Sequence, residues 1–545
     1  MPHAPPVSPS LALVLPPVLL HELPARAAVL WPAQRALTAG DQHTTYTELQ
    51  AQVSALAAGL LSFPLDRGAR VAVFLEKRVE AVVASFGVPA AGGVLVPVNP
   101  LLKPAQVAHI LQDSGAQVLV TSASRAAQLA AVLAECPALC HVVVCDGMAS
   151  PGPGSLHSHT WTNVLKAPAT SLPAALETDV AAIFYTSGST GRPKGVVLSH
   201  RNLVAGAGSV AGYLENTTAD TLLAALPLSF DAGFSQLTTA FLVGARVVLL
   251  NYLLPRDVLQ AMAREQVTGL TAVPPLYMQL AALDWPAEAT RSLRYWANTG
   301  GRMPRATLER LRERAPQAAP CLMYGLTEAF RSTFLPPSQV DTRPDSIGRA
   351  IPNVEILVLR EDGTACEADE PGELVHRGPL VALGYWNRPE ETALRFRALP
   401  SALVAGRQGV AAAELAVYSG DTVRRDAEGF LYFVGRRDEM IKTSGYRVSP
   451  TEVEEAVYAS GLVREVLAVG VAHETLGQVI HVAAVAADLA NTDALLAHCR
   501  AQLPGYMVPV AVHWSAEPLP RNPNGKLDRP RWKADWQRDN EQGKT

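Results

Sequence analysis

No run of about five or six like charges occurs anywhere in this chain. Its 46 Lys and Arg stand against 50 Asp and Glu, a formal net charge of −4. A nucleic-acid binder normally carries a basic stripe or a high pI, so that class is excluded and partners chosen by bulk charge with it. Cysteine is sparse: Cys136, Cys140, Cys145, Cys321, Cys366 and Cys499. None forms a C-x-x-C pair with histidine partners, so a zinc site or disulfide framework has little support and free thiols in a reducing compartment are expected. The apolar stretch Leu11–Leu20 is broken by Pro16 and Pro17 and preceded by no Lys or Arg, unlike a secretory signal. No uninterrupted apolar run approaches the roughly 20 residues of a membrane span. The expected location is the cytoplasm. No internal repeat is visible.

What the chain has is length and ordinary globular composition: 545 residues, 48% hydrophobic and 18% charged, enough for two or more cores. Thr45-Tyr-Thr-Glu48 reads as a capping box ahead of Leu49, Val53, Leu56 and Leu60 on one helical face. Val71–Leu75, Leu95–Val98 and Val142–Cys145 read as short buried strands, with a helix over about Arg78 to Ala91 between the first two. This alternation predicts an α/β fold with parallel pairing. Near Gly435 the pattern changes to a compact α+β unit. It has a helix Thr451–Ser460 opened by a second capping box (Thr451 to Glu454), strands Val466–Val471 and Val479–Ala486, and a helix around Thr492–Leu503. The expected division is a large N-terminal domain 1–434, a hinge 435–438 and a small mobile domain 439–545, with Ala534–Thr545 polar and frayed.

The segment richest in chemistry is Tyr185-Thr-Ser-Gly-Ser-Thr-Gly-Arg-Pro-Lys-Gly195, which leaves the apolar run Val180–Phe184. Glycines let backbone N–H groups approach an anion, hydroxyls donate hydrogen bonds and Lys194 supplies charge, so the loop suits a phosphate chain. It is not a Walker A loop, because Pro193 precedes Lys194 and no Ser or Thr follows it.

This loop resembles the phosphate-binding signature of the adenylate-forming superfamily, which comprises acyl-CoA synthetases, peptide-synthetase adenylation domains and beetle luciferases. The other motifs of that family follow in order over roughly residues 25–530. The resemblance implies an enzyme that adenylates a carboxylic acid with ATP and Mg2+ and passes the acyl group to a thiol, either coenzyme A or a phosphopantetheine carrier. It implies phosphate contacts from Thr186, Ser187, Gly188, Ser189, Thr190, Gly191 and Lys194. In Met323-Tyr-Gly-Leu-Thr-Glu328, Tyr324 with Gly325 would lie against adenine, Thr327 would meet the α-phosphate and Glu328 would ligate magnesium, which prefers oxygen donors. Asn298-Thr-Gly-Gly-Arg302 resembles the adenine-edge loop, placing Gly300, Gly301 and Arg302 at the nucleotide, although a plain turn explains Gly300-Gly301 equally well. Asp421 and Arg436 would hold the ribose, Asp438 would be the hinge, and Gly445 would line the thiol tunnel. Lys526, in Pro520-Arg-Asn-Pro-Asn-Gly-Lys-Leu-Asp-Arg529, is the implied catalytic lysine, with Thr327 and Glu328 beside it in the chemistry.

The acyl pocket is expected from Phe230, Asp231, Ser235, Thr299, Ala329 and Phe330. Asp231 is informative, because in amino-acid-activating domains an aspartate here pairs the substrate's ammonium. A buried carboxylate needs such a partner. Arg331 offers an internal alternative, and both readings stand at this point. Thr327–Pro337 and Asn251-Tyr-Leu-Leu-Pro255 resemble stand-alone bacterial AMP-forming acyl-CoA ligases of the exosortase-associated kind. The leading expectation is therefore an acyl-CoA ligase, with an amino-acid-activating ligase loading a separate carrier protein as the alternative. A regulatory protein that has lost turnover conflicts with the intact Lys194, Glu328, Asp421 and Lys526. A luciferase-like oxidase has no positive sign.

Overall fold

The computed structural model describes residues 15–147, 156–186, 193–400, 403–404, 410, 413–436, 439–443, 446–473, 476–522 and 525–542. Among them the strands form three sheets, of fourteen, eight and five strands. In the eight-stranded sheet, Arg70–Phe74, Val94–Pro97, Val118–Thr121 and His141–Val144 run parallel. Their Val- and Leu-rich sequences are buried along almost their whole length, as strands covered on both faces must be. Val180–Thr186 joins this sheet beside Val94–Pro97, and Lys194–Ser199 returns antiparallel to it, pairing Lys194 with Thr186.

The fourteen-stranded sheet has a parallel half and an antiparallel half. Thr221–Ala224, Gly269–Ala272, Tyr295–Asn298 and Ala319–Tyr324 lie side by side in parallel. The next strand, Thr333–Leu335, turns antiparallel, and Leu415–Arg425 and Leu431–Arg436 lie further out in the antiparallel half. A crevice outside the carboxyl ends of parallel strands, where the strand direction changes, is where α/β folds bind ligands. The segments leaving these four strands are Ala225–Phe230, Val273, Thr299–Arg302 and Gly325–Glu328. Three of them carry residues expected at the site.

The helix Asp231–Val243 is held against the exit of Thr221–Ala224 by Gly233, where a Cβ would lie 1.9 Å from the Pro227 carbonyl oxygen. Gly233→Ala is therefore expected to destabilise the large domain by about 1–3 kcal/mol through overpacking. Urea unfolding measures this, and an unchanged midpoint would show that the helix can shift freely.

The small sheet begins at Ile441–Thr443 and contains the long hairpin Val463–His473 and Gly477–Ala486. Alternation sorts its faces: Val466, Ala468, Ile480 and Val482 pack with Val453, Val457 and Leu495 of the helices Pro450–Ala459 and Thr492–Gln502. Leu467, Val469, Ala483 and Val485 point to the other face, with Leu519 and Trp532.

Two sequence expectations are corrected in this unit. The helix opens at Pro450 with Ser449 as N-cap, and Thr451 and Glu454 form no capping box. Glu454 instead accepts from the Ala468 amide at 2.8 Å and from Arg529 at 2.7 Å, a stronger set of partners than its own helix end provides. The tail is not frayed through residue 542, because Arg529–Gln542 is a helix. Trp532 and Trp536 anchor it by stacking against each other and packing on His481 and His513.

Candidate active site

Glu328 sits on the short turn after Ala319–Tyr324 and is 8% exposed. Its Oε1 accepts a hydrogen bond from the Tyr385 hydroxyl at 2.5 Å. The same Tyr385 ring carries Lys194 Nζ 3.8 Å from its centroid, so the lysine expected at the phosphates and the expected magnesium carboxylate meet on one aromatic side chain. Burial lowers the Lys194 pKa, and Glu328 and Glu391, the latter 3.6 Å away, counter that shift. Arg395 adds positive charge near Glu328. Its Nη1 donates to the Tyr418 carbonyl and lies where a Cβ on Gly420 would come within 2.5 Å, and the φ of +70° at Gly420 favours glycine there.

Asp421 lies one residue beyond, on Leu415–Arg425. Its Oδ2 accepts from the Tyr324 hydroxyl, and Arg436 Nε stands 3.3 Å from Oδ1. Burial raises the Asp421 pKa, with Arg436 acting against it. Tyr324, Asp421 and Arg436 thus form one corner, beside the Glu328 and Lys194 corner.

Lys526 enters this crevice from the small domain. The turn that carries it is pinned by its own backbone: Lys526 N donates to Asn522 Oδ1 at 3.0 Å and Asn522 N to the Lys526 carbonyl at 2.8 Å. A Cβ built on Gly300 would lie 3.4 Å from Lys526 Cε and 3.7 Å from Phe230 Cζ. Asp231, Asp421 and Glu328 stabilise the Lys526 ammonium, but crowding by protein dominates and lowers its pKa. The residue as a whole nevertheless remains exposed.

Asp231 and Arg331 are 4% and 2% exposed. Arg331 Nη1 stands 3.4 Å from Asp231 Oδ2, long for a charge-assisted hydrogen bond, and donates to the Phe330 carbonyl at 2.7 Å. Asp231 Oδ1 accepts from the Ala232 amide at 2.8 Å. Desolvation raises the Asp231 pKa, with Arg331 the main opposing influence. The internal partner for Asp231 is therefore present. A tight turn aims Arg331: Phe330 has φ 57° and ψ −48°, and the Arg331 amide donates to the Ala329 carbonyl at 2.6 Å, a γ-turn of the rare, strained hand. The Phe330 ring is buried against Gly206.

A family model described as AMP-binding enzyme matches residues 24–386, and that of the AMP-binding enzyme C-terminal domain matches residues 452–526. This chain belongs to the AMP-binding enzyme family. It is 30% identical over 544 residues to a long-chain-fatty-acid–CoA ligase of Salmonella typhimurium, covering 94% of this chain and 93% of that protein. It is 30% identical over 514 residues to tyrocidine synthase 3 of Brevibacillus parabrevis, covering 94% of this chain but 8% of that much longer protein. Among solved structures, o-succinylbenzoate coenzyme A synthetase from Bacillus subtilis, in complex with ATP and magnesium ion, superposes with a TM-score of 0.79 at 28% identity, over 94% of this chain and 99% of that one. The fold is that of the adenylate-forming enzymes.

The residues of this AMP-binding enzyme fit a magnesium nucleotide. Glu328 offers a buried carboxylate, held by the Tyr385 hydroxyl at one oxygen, and it matches the hard oxygen donors magnesium prefers. Asp421 Oδ1 is a buried acceptor without a well-formed hydrogen bond, which suits a ribose hydroxyl. Of the other residues expected from sequence, Thr186 ends its strand opposite Lys194, and Gly301 accepts from Asn298 Nδ2 through its carbonyl. Gly325 packs close to the Arg331 backbone, and Thr327 is 8% exposed. Thr299 and Ala329 are buried, and Ser235 Oγ is buried without a partner. Arg302 has its guanidinium engaged by Asp345 at 2.8 Å and by Glu455 of the small domain, at the face between the domains. Ser187, Gly188, Ser189, Thr190, Gly191, Asp438 and Gly445 lie outside the described residues.

Sequence reasoning missed Tyr385 and Arg395. The signal available was Gly384-Tyr-Trp-Asn-Arg-Pro389, an aromatic pair in a stretch otherwise typical of a turn.

Proposed function

We propose that this chain is an AMP-forming acid–thiol ligase, most directly an acyl-CoA ligase, acting in the cytoplasm as two domains that meet around residues 435–438. The observation that carries the reading is Lys526: a cation delivered by the small domain into a crevice where Asp231, Asp421, Arg436 and Glu328 all act on its charge. Adenylation needs a positive group that bridges acid and nucleotide and is not fixed to the surface holding either. The Asp231–Arg331 pair supports an uncharged acyl group over an amino acid, because the carboxylate has its cation already. No helix among the described residues is long and apolar enough to cross a membrane.

In the proposed reaction, an oxygen of the substrate carboxylate attacks the α-phosphorus of ATP, and the bond to the bridging oxygen breaks to release pyrophosphate. Lys526 neutralises charge between the carboxylate and the α-phosphate, and Thr327 borders that phosphate. Lys194 and the loop from Thr186 hold the departing phosphates, while Asp421 and Arg436 fix the ribose and Tyr324 borders the base. Magnesium, held by Glu328, would neutralise the leaving pyrophosphate. Tyr385 and Arg395 position the Glu328 carboxylate and offset its charge. The protein contributes placement and charge, as in phosphoryl transfer generally. In the second half-reaction a thiolate attacks the acyl carbonyl and AMP leaves, with rotation about Asp438 replacing the Lys526 face by the Gly445 face.

The reading is tested by following pyrophosphate and AMP with ATP, magnesium and a panel of acids, with and without coenzyme A. Acid-dependent pyrophosphate, followed by AMP and thioester only when coenzyme A is added, is expected. Pyrophosphate without any thioester, or thioester formed only on an added carrier protein, would overturn the acyl-CoA assignment.

The pH dependence follows from Lys526. Its ammonium is the working form, and crowding holds its pKa below the usual 10.5. The alkaline limb of kcat/KM for adenylation, which reports the free enzyme, is therefore expected below pH 10.5. Lys526→Arg should lower the rate yet remove that limb, since a guanidinium stays protonated. A limb unchanged in Lys526→Arg would assign it to another group.

A further inference from the structure

Behind the Asp231–Arg331 pair lies a small cavity, separate from the nucleotide corner. Its polar lining is Ser235, Gln236, Thr239, Thr271, Tyr295 and Arg331, and the remaining wall is aliphatic. Its volume is about 20 Å3, room for about one water. It adjoins the acyl end of the crevice, since Ala232 lines it, Asp231 precedes Ala232, and Asp231 acts on the Lys526 charge.

Four lining atoms are buried without a hydrogen-bond partner: Ser235 Oγ, Thr239 Oγ1, Gln236 Oε1 and Arg331 Nε. Ser235 and Thr239 are each buried below 4% exposure, as is Arg331, and Gln236 is 5% exposed. Other unpartnered buried atoms occur elsewhere among the described residues, but four lining one small cavity mark a missing shared partner. The amide nitrogen of Gln236 is fixed by its 2.7 Å bond to the Leu223 carbonyl, which leaves Oε1 as the acceptor in the cavity. The set therefore offers a guanidinium N–H, two hydroxyls that donate or accept, and one amide acceptor. A group able both to accept and to donate, a hydroxyl or a carboxamide, satisfies it. A methylene tail satisfies none of it.

We propose that this cavity is the floor of the acyl pocket and selects a short carboxylic acid whose far end carries a neutral hydroxyl or carboxamide. The proposal rests on the ligase reading above. Neutrality follows from charge: Asp231 already balances Arg331, so a second carboxylate would leave an uncompensated negative charge among buried side chains. Shortness follows from volume: the cavity has room for about one water-sized group, so the far end of the acid terminates there. The selection has the physical form of other sites built to hydrogen-bond a substrate: an analogue lacking the polar group leaves buried donors and acceptors unpaired.

The test compares kcat/KM for acid-dependent pyrophosphate release with hexanoate, 6-hydroxyhexanoate, adipamate, adipate and palmitate, together with the corresponding four-carbon acids. At one or both lengths the hydroxy or carboxamide acid is expected to exceed the plain acid by about ten- to a hundredfold, with palmitate inactive. Thr239→Val and Ser235→Ala should each shrink that ratio severalfold, and a merely structural role would lower all acids together. Hexanoate or palmitate as the best substrate overturns the proposal while the ligase reading stands. Preference for adipate overturns the neutrality argument in particular. A ratio unmoved by both variants assigns the cavity to a resident water. If no acid in the panel releases pyrophosphate, the ligase reading and this proposal fall together.

Discussion

Lys526→Ala is expected to lower acid-dependent pyrophosphate release by about a hundred- to a thousandfold while leaving thiolysis of a supplied acyl-adenylate within severalfold of the unaltered protein. The size follows from the loss of one positioned charge where negative charge accumulates between carboxylate and α-phosphate. The asymmetry follows from position: Lys526 belongs to the small domain, and the proposed thioester-forming pose takes it out of the crevice. The substitution should not unfold its turn, since the Asn522–Lys526 bonds that close it use the backbone of residue 526 and not its side chain. Rapid-quench measurement of the two half-reactions separately reads both numbers. Equal loss in both would show that Lys526 supports the fold, or that the two reactions share one pose.

Local chemistry was the part of this protein legible in its residues. Thr45 and Glu48 open their helix as a reciprocal capping box because both partners lie within one turn and nothing stronger competes. The same four-residue signature at Thr451–Glu454 fails because Glu454 finds Arg529 and the Ala468 amide, partners that only the folded small domain supplies. The buried Val- and Leu-rich strands were readable from composition, but their order was not, since parallel neighbours such as Val71 and Val118 are joined by contacts that leave no local trace. The polar tail misled for a related reason. Trp532 and Trp536 recur four residues apart, yet what they pack against, His481 and His513, sits in strands earlier in the chain.

The candidate site shows the same division. Lys194, Glu328, Asp421 and Lys526 stand in motifs that resemble those of the adenylate-forming superfamily, and their expected roles at phosphate, metal and ribose and as a mobile cation come from that resemblance. Tyr385, which joins the first two, stands in a two-residue strand, and its function depends on Gly384–Tyr385 pairing with Val196–Val197. The strained turn at Phe330 was also invisible, because a bulky aromatic is the residue least expected at φ 57°. That conformation turns the chain so that Arg331 faces back toward Asp231.

Arg331→Met is expected to destabilise the large domain by about 3–5 kcal/mol at pH 8, because it leaves the Asp231 carboxylate buried without its cation. The loss should be smaller at pH 5. Burial already raises the Asp231 pKa, and removing Arg331, the main influence lowering it, raises it further. A carboxyl whose folded pKa lies above its unfolded one favours the folded state at low pH, and that contribution is lost as pH rises through the folded value. Replacing both partners, as Asp231→Asn with Arg331→Met, removes the charge together with its partner and should recover most of the stability at pH 8. Urea unfolding of the four proteins at both pH values gives the complete cycle. A double variant no better than Arg331→Met alone would show that Asp231 is satisfied mainly by the Ala232 amide. The same variants decide the substrate question. If Arg331 is the partner of Asp231, Asp231→Asn should depress kcat/KM by a similar factor for every acid turned over. A loss confined to amino acids would instead give the carboxylate to a substrate ammonium, and the enzyme would be an amino-acid-activating ligase.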